Sequence, residues 1–516
     1  MADIMKMLDK ETLNELTTTA NGATTYASTG EYLLDLNYNI PSLRNDPYKF
    51  ESTFIKAYSE DKNLAIRWLL YLRDIKNGAG ERNSFRVLFV DFAMKYPAVA
   101  LDIIKKCNIQ NDFGRWDDLI YIWHALEYTS KEITDCINLI ITKQLNEDIK
   151  KCAEATSADE DCHISLLGKW MPSINTSSKE TRTIANWVAN ELKLTSKQYR
   201  KMLSLLRRHS KVVEVDTSAN NWKEIEYERV PSYANLKYKD AFLRHDTERR
   251  KNYLTKLKEG KATINAGTLF MYDIIHNYRK DPYSFNAKDE SLEELWKNLP
   301  TPAKLSNTLV VRDGSVSMLD TISGSSSLTS MDIGDSICIF LSQLNTGEFK
   351  NKFITFSSNP KIVDLTSSDE LCTKLNILSK YDDCSNTNIE KVFNLILKTA
   401  IKNNIKQEDM PERIVIISDM QFDCGCTSTP DKTLFETFIE KYKEHGYKMP
   451  KLIFWNTSTY YNHDVPLRTN ENGVTLLSGF SNNMVDMVVN NELDPFKALI
   501  KTLKNKKYDC VDSIEF

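Results

Sequence analysis

Apolar residues recur at every third or fourth position through the first part of the chain, as they do along one face of a helix. Phe50, Phe54 and Tyr58 begin this pattern, and the stretch in front of them is polar. We predict a mostly irregular N-terminal arm over residues 1–45, followed by short helices with brief connections over residues 46–300. Such a succession is typical of helical-repeat proteins, in which neighbouring helix pairs stack to share a core.

The pattern changes after Pro300 and Pro302, a closely spaced pair that disfavours helix and indicates a domain boundary. Beyond it, the apolar residues come in short continuous runs that alternate with helical patterns. The runs predict strands at residues 308–312, 352–356, 413–418, 450–456 and 474–477. Because a doubly wound sheet requires this alternation, we predict a multidomain protein with an all-α module over 46–300 and a Rossmann-like α/β domain over 303–516.

Length and composition agree with this organisation. A chain of 516 residues is too long for one ordinary core, and its 41% hydrophobic and 27% charged content is that of a globular protein. No apolar run approaches the length of a membrane span, and the N-terminus lacks the apolar core of a signal peptide. We therefore expect a cytoplasmic protein without membrane contact. The usage of isoleucine, asparagine and lysine is compatible with a viral or phage gene, and hence with an infected cell or a virion.

The ten cysteines include no C-x₂-C pair, so we expect free thiols in a reducing compartment. Cys384, Cys424 and Cys426 fall near the loops that carry the candidate chemistry described next, which leaves a soft-metal or redox role open.

Three oxygen-bearing residues follow the first predicted strand at alternate positions. Because alternate side chains of an extended segment point the same way, Asp313, Ser315 and Ser317 can converge on one point. One carboxylate and two hydroxyls suit Mg²⁺, Mn²⁺ or Ca²⁺ far better than Zn²⁺. Taken alone, such a cluster of Asp, Gly and Ser is also typical of an ordinary turn.

Two further residues extend this set. The predicted strand 413–418 runs directly into Asp419, and Thr387 precedes a helical pattern that begins at Ile389. In an open parallel sheet, ligands bind at the carboxyl ends of the strands. The arrangement closely resembles the metal-ion-dependent adhesion site of the von Willebrand factor A domain. That resemblance implies that Ser315, Ser317 and Thr387 bind a divalent cation, and that Asp313 and Asp419 act directly or through water.

A basic segment lies within a chain whose net charge is −4. Residues 192–261 contain 18 Lys and Arg against 9 Asp and Glu, a net charge of +9. Aromatic residues such as Trp222 and Tyr227 are interleaved, as is typical of RNA-binding surfaces. The alternative is a solvated helix face without a partner. The candidate RNA-binding residues are Lys197, Arg200, Lys201, Arg207, Arg208, His209, Lys211, Arg244, His245, Arg249, Arg250 and Lys251.

The order of the parts, a helical module followed by an A-type domain, resembles the Ro autoantigen and the TROVE group to which it belongs. The phrases that resemble a branch related to that group lie at residues 73–82, 114–119, 168–173, 241–246 and 417–423. The resemblance implies a HEAT-like module that closes into a ring, with RNA on its basic surface and no catalysis. One departure is Arg312, directly before the first aspartate, which would weaken cation binding if it turned toward the site.

We therefore expect a non-catalytic RNA-binding protein, resembling a Ro ribonucleoprotein component, that carries Mg²⁺ or a similar cation in its A-type domain. The alternative is a scaffold that binds a protein partner through the metal. A metal-dependent hydrolase is the least favoured possibility, because two-metal enzymes need several carboxylates close together and the motifs place only Asp313 and Asp419.

Overall fold

Helices dominate the chain in front of residue 300, and most strands lie behind it. The computed structural model describes residues 16–18, 24–154, 163–301, 304–322, 327–357, 359–382, 389–420, 434–457, 474–481, 484–485, 488 and 494–516. These residues form two compact units. The first combines Met1–Ala65 with Ala266–Asn505, and the second combines Ile66–Asn265 with Lys506–Phe516. The predicted combination of an N-terminal helical part with a C-terminal α/β part is confirmed at this level.

The N-terminal segment of the first unit is more regular than its polar sequence predicted. Its elements are strands β1 (Leu16–Thr18) and β2 (Thr24–Tyr26), which pair antiparallel, and helices α1 (Tyr32–Tyr38), α2 (Ile40–Leu43) and α3 (Pro47–Glu60). The carbonyl of Tyr38 accepts a hydrogen bond from Asn456 over 3.1 Å, and that of Asn37 accepts one from Ser478. These bonds fasten the end of α1 to two strands of the C-terminal sheet.

The second unit is helical wherever its described residues form regular structure. Its α-helices, of which the first begins just before the unit, are α4 (Lys62–Arg73), α5 (Arg82–Lys95), α6 (Pro97–Lys106), α7 (Ile109–Asp112), α8 (Trp116–Leu126), α9 (Lys131–Glu154), α10 (Leu167–Trp170), α11 (Lys179–Glu191), α12 (Ser196–His209), α13 (Val213–Ser218), α14 (Ser232–Lys237), α15 (Lys239–His245) and α16 (Thr247–Lys258). The chain returns to this unit at its end, where Lys506–Ser513 forms a 3₁₀-helix.

The rest of the first unit is built around a sheet of six strands. The remaining elements are α17 (Met271–Tyr278), β3 (Arg279–Asp281), β4 (Ser284–Phe285), α18 (Glu290–Lys297), β5 (Thr308–Asp313), α19 (Ser330–Leu344), β6 (Lys352–Phe356), β7 (Ile362–Asp364), α20 (Leu371–Leu378), α21 (Ile389–Lys402), β8 (Arg413–Ser418), α22 (Leu434–Glu444), β9 (Lys451–Asn456), β10 (Val474–Ser478) and α23 (Pro495–Leu503). The strand order is β7-β6-β5-β8-β9-β10. All neighbours pair parallel except β6 and β7, so the sheet is mixed.

Strands β5 and β8 lie at the centre of this sheet, and every residue of both is buried. Their β-branched residues suit strands that are covered on both faces. All five predicted strands are confirmed to within a residue at each end, whereas β7 was missed. Helix α19 packs against β5, β6 and β8, and is buried from Ser330 to Ser342. Within the described ranges, no helix has both the length and the apolarity needed to cross a membrane.

Candidate functional site

Asp313 and Ser418 end the two adjacent parallel strands β5 and β8. Asp313 is fully buried, and its Oδ2 accepts a hydrogen bond from the Ser418 hydroxyl over 2.5 Å. Its Oδ1 accepts a second bond from the backbone N–H of Ser315 over 2.9 Å. From β5 the chain continues to β6 and β7 on one side of the sheet, and to β8, β9 and β10 on the other. In an open α/β sheet, the crevice at such a reversal of strand order is where ligands bind.

The remaining predicted ligands lie around this crevice or outside the described residues. The hydroxyls of Ser315 and Ser317 are 2.9 Å apart, because a 3₁₀-turn at Val316–Leu319 folds the second serine back toward the first. Asp419 follows β8 directly and is buried. Thr387 falls outside the described residues, as do Cys384, Cys424 and Cys426. The structure therefore brings Asp313, Ser315 and Ser317 together at one strand end and places Asp419 at the end of the neighbouring strand.

The donor set fits a hard cation. Two buried carboxylates and two hydroxyls supply oxygen atoms only, as Mg²⁺, Mn²⁺ and Ca²⁺ prefer. Burial raises the pKa of Asp313, although the hydrogen bonds from Ser418 and Ser315 oppose that rise. A cation in the crevice would favour the ionised carboxylate. Among the described residues, no three His, Cys, Asp or Glu side chains are grouped so that they could hold a metal, and the candidate site therefore depends on its hydroxyls.

Arg312, the departure noted in the sequence, is engaged by two acidic residues. Its Nε donates to Oδ1 of Asp335 on α19 over 2.9 Å, and its Nη1 pairs with Asp382. Gly314 makes room for this pairing, because a Cβ there would lie 2.9 Å from Nη1 of Arg312. The guanidinium charge is thus balanced by carboxylates outside the candidate ligand set.

Asp335 also connects Arg312 to a second arginine and a histidine. Arg279 donates to Asp335 through Nη2 and to Asp332 through Nε, each over 2.7 Å. Nδ1 of His276 lies 2.9 Å from the other oxygen of Asp332, and this hydrogen bond raises the pKa of His276. This network could not be predicted from the sequence, because its members are far apart in the chain and belong to no motif.

The cationic residues predicted to bind RNA divide into exposed and buried groups. Helix α12 buries Tyr199, Met202, Leu203 and Leu206, which leaves most of its basic residues facing solvent. The exposed residues are Lys197, Arg200, Lys201, Arg208, Lys211, Arg244, His245, Arg249 and Lys251. Arg207 is half-buried, and His209 and Arg250 are buried. The structure thus leaves nine of the twelve predicted residues at the surface of the second unit.

Three of the predicted arginines hold the fold together locally. Arg207 donates to the carbonyls of Gly168 and Met171 over 3.1 and 2.7 Å. Arg250 lies against the rings of Tyr227, Phe242 and Tyr253, with its Cζ 5.0 to 5.2 Å from their centroids. Arg249 donates to three backbone carbonyls and to the carboxylate of Asp246; the carbonyls belong to Trp222, Lys223 and Ile225.

One of these exposed residues, His245, belongs to an aromatic pair. The rings of Trp222 and His245 are stacked, with centroids 4.4 Å apart and planes inclined by 8°. His245 is exposed and Trp222 half-buried. Because unpaired bases stack on flat aromatic surfaces, this pair adds a feature that a merely solvated helix face would not need.

Comparison with known proteins finds two family models that match separate parts of the chain. The sequence model of DUF7788, a domain of unknown function, matches residues 307–509. The sequence model of DUF2828, also a domain of unknown function, matches residues 19–135 and 126–301. An uncharacterized protein of Acanthamoeba polyphaga mimivirus is 29% identical over 517 residues, which covers 95% of this chain and 87% of the viral protein. The DUF2828 match spans more than half of the present chain, so the chain belongs to the DUF2828 family.

Proposed function

We propose that this protein binds RNA through the second unit without catalysing a reaction, and that its C-terminal sheet holds a divalent cation. The observation that carries the RNA proposal is the exposure of nine predicted basic residues, one of which, His245, is stacked on Trp222. Phosphate contacts supply most of the affinity of such surfaces, and ring stacking supplies a sequence-tolerant part. The resemblance to Ro supports the same function and favours a HEAT-like helical module.

A salt series with a charge-reversed variant tests RNA binding. Lys197, Arg200, Lys201 and Arg208 share one face of α12 by their spacing, and all four are exposed. We expect wild-type affinity for single-stranded RNA to fall steeply with salt, and the quadruple change of these residues to Glu to remove most of the binding.

A matched variant controls for the change in net charge. Lys131, Lys143, Lys150 and Lys151 on α9 are also exposed, and their replacement by Glu alters the charge equally. Equal loss of binding in both variants, or indifference of the wild type to RNA at low salt, would contradict the proposed surface.

The cation proposal rests on the position of Asp313 and Asp419 at the carboxyl ends of adjacent strands, where the strand order reverses. Strand β5 comes first among these strands in the chain but third across the sheet, and this order supports an A-type doubly wound domain. When bound, the cation would supply an open coordination position for an oxygen of a partner. Asp313, Ser315, Ser317 and Asp419, together with Thr387, would hold it.

Calorimetric titration of the whole protein with Mg²⁺ and Mn²⁺ tests this site. We expect one bound ion in the wild type and much weaker binding in Ser315→Ala and Ser317→Ala. Ser59→Ala is a suitable control, because Ser59 is exposed on α3 and its hydroxyl donates to the carbonyl of Ile55 in the same helix. Equal ion affinity in all four proteins would overturn the assignment of these hydroxyls as ligands.

A metal-dependent protein scaffold is the second candidate function. The side chain of Val316, between the two serines, is 56% exposed, so an apolar group stands at the mouth of the crevice. A partner carboxylate that completes the cation's coordination would lie against it. Binding of Asp-containing peptides should then require the cation, disappear on chelation, and weaken in Val316→Ser without loss of the bound ion. Peptide binding that survives chelation would exclude this mode.

A further inference from the structure

Three of the phrases singled out in the sequence meet at the start of α8. Asp118, in the first turn of that helix, is fully buried. Its Oδ2 accepts from Nε of Arg73 over 2.9 Å and from the backbone N–H of Arg115 over 2.8 Å. Its Oδ1 accepts from Nε of Arg86 over 2.6 Å. The Trp170 ring, from the third phrase, lies 5.6 Å from Cζ of Arg115.

This cluster contains more positive than negative charge. Arg73 and Arg86 are both held by short ion pairs to Asp118, and Arg86 also reaches Asp117 over 2.6 Å. Arg82 approaches Asp117 only to 4.0 Å, and 48% of its side chain is exposed. With Arg115 included, four guanidinium groups face the two carboxylates of Asp117 and Asp118, which leaves two positive charges in excess.

Arg115 is the group whose charge is least compensated. Among the described residues it forms no ion pair with a carboxylate, and its guanidinium lies over Trp170 instead. Burial, and then the charge of Arg73, lower the pKa of Arg115. A half-buried guanidinium that is repelled by its neighbours would gain from an anionic ligand, because charged hydrogen bonds to phosphate are strong and often bidentate.

The Trp170 side of the cluster is fixed by the helix that carries the proposed RNA surface. Arg207 of α12 binds the carbonyls of Gly168 and Met171, and the hydroxyl of Tyr199 donates to the carbonyl of Pro172 over 2.9 Å. The segment around Trp170 is therefore held by residues of α12, whose opposite face exposes Lys197, Lys201 and other cations.

We propose that Arg82 and Arg115, of which Arg115 lies against Trp170, bind the terminal phosphate of an RNA strand held by the second unit. A terminal phosphate carries about two negative charges at neutral pH, which match the excess of the cluster, whereas each internal phosphodiester carries only one. The inference rests on the proposed RNA function and adds to it a preference for one chemical form of the RNA end.

The experiment compares one short single-stranded RNA with a 5′-phosphate and with a 5′-hydroxyl, using the full-length protein. We expect the phosphorylated RNA to bind about tenfold more tightly or better, as one charge-assisted bidentate contact would give. Arg82→Gln and Arg115→Gln should each reduce this preference and leave binding of the hydroxyl form nearly unchanged. Arg229→Gln is the matched control, since Arg229 is exposed and its ion pair with the exposed Glu226, over 2.9 Å, lies within one turn of the chain.

The outcomes separate this inference from RNA binding itself. Equal affinity for the two RNAs, or a preference that persists in Arg115→Gln, would overturn the terminal-phosphate site and leave RNA binding intact. Failure of both RNAs to bind would overturn the RNA function as well. Tight binding of a phosphoserine peptide in place of RNA would also overturn the assignment to RNA. Circular dichroism of each variant identifies any loss of folding. If Arg115→Gln fails to fold, the comparison of the two RNAs rests on Arg82→Gln, which changes a more exposed side chain.

Discussion

Arg312 and Asp335 form an ion pair in which neither side chain is exposed to solvent, with Nε and Oδ1 2.9 Å apart. The arginine belongs to the central strand β5, and the aspartate to the buried helix α19. Removing two charges from water costs several kcal/mol per ion, so such a pair persists only when its hydrogen bonds are well formed. Here Asp382 and Arg279 extend the pair at both ends with one further charge of each sign, so the four groups together are balanced.

Replacement of Arg312 by Met should therefore destabilise the sheet unit strongly. Asp335 and Asp382 would lose their shared guanidinium while remaining buried, and breaking one side of a buried ion pair typically costs about 3–5 kcal/mol. A lower urea midpoint for unfolding would measure this effect.

The exposed pair of Lys352 and Glu348 supplies the comparison. Nζ of Lys352 and Oε2 of Glu348 are 3.9 Å apart, and the Glu348 side chain is 97% exposed. Lys352→Met should therefore lower the free energy of unfolding by at most about 1 kcal/mol. Similar midpoints for Lys352→Met and Arg312→Met would show that the buried network adds nothing to stability.

The histidine of the network should make stability depend on pH. The hydrogen bond to Asp332 raises the pKa of His276 above 6.5, so the folded protein holds this proton more tightly than the unfolded chain does. The resulting stabilisation is complete below pH 6.5 and is lost as the pH rises through the higher folded value. Melting temperatures should fall with rising pH in this window, and less so in His276→Gln. Burial raises the pKa of Asp273 from 3.8 to about 6, so its own contribution to stability is lost as the pH rises through that range, below the histidine window.

Gly114 should tolerate no side chain, because the network around Asp118 occupies the space beside it. A Cβ there would lie 2.4 Å from Oδ2 of Asp118 and 3.3 Å from Nε of Arg73. Since Asp118 is fixed by three donors, it cannot move aside without breaking hydrogen bonds. Gly114→Ala should therefore cost about 1–3 kcal/mol in the free energy of unfolding, as overpacked sites do.

Gly267 gives the opposite expectation for the same substitution. No atom of the described residues lies within 4 Å of a Cβ at this position, so Gly267→Ala should be neutral or raise stability slightly by restricting the unfolded chain. A Gly114→Ala protein as stable as Gly267→Ala would mean that the Asp118 network is looser than its distances indicate.

The central strands could be predicted from sequence because burial on both faces produces a continuous apolar run. Strands β5 and β8 are of this kind. The edge strand β7 has three residues, of which only Val363 is buried, and so short a segment leaves no recognisable pattern. Helix α1 was missed for a different reason, since its end is fixed by Asn456 and Ser478, more than four hundred residues away in the chain.

The candidate sites, too, could be predicted from the sequence only where they depend on a local pattern. The spacing of Asp313, Ser315 and Ser317 placed three oxygen donors at one strand end, because alternation along an extended segment is a local property. Composition likewise located the basic segment. Whether a given cation faces solvent depends on the packing around it: Arg249 is exposed, whereas its neighbour Arg250 is enclosed by three aromatic rings. No sequence pattern distinguishes the exposed Arg249 from the buried Arg250.

Tyr508, near the end of the chain, should contribute strongly to the stability of the second unit. Its ring is stacked on Phe113 with centroids 5.7 Å apart, and its hydroxyl donates to Oδ2 of Asp74 over 3.0 Å. Tyr508→Phe should cost about 1–2 kcal/mol, because the buried carboxylate loses a donor. Tyr508→Ala should cost about 3–5 kcal/mol through the cavity it leaves. Tyr128→Ala is the control, since Tyr128 is 89% exposed and should change the urea midpoint little. If Tyr508→Ala unfolds at the same urea concentration as Tyr128→Ala, the C-terminal segment does not stabilise the helical unit, and removal of Lys506–Phe516 should leave that unit equally stable.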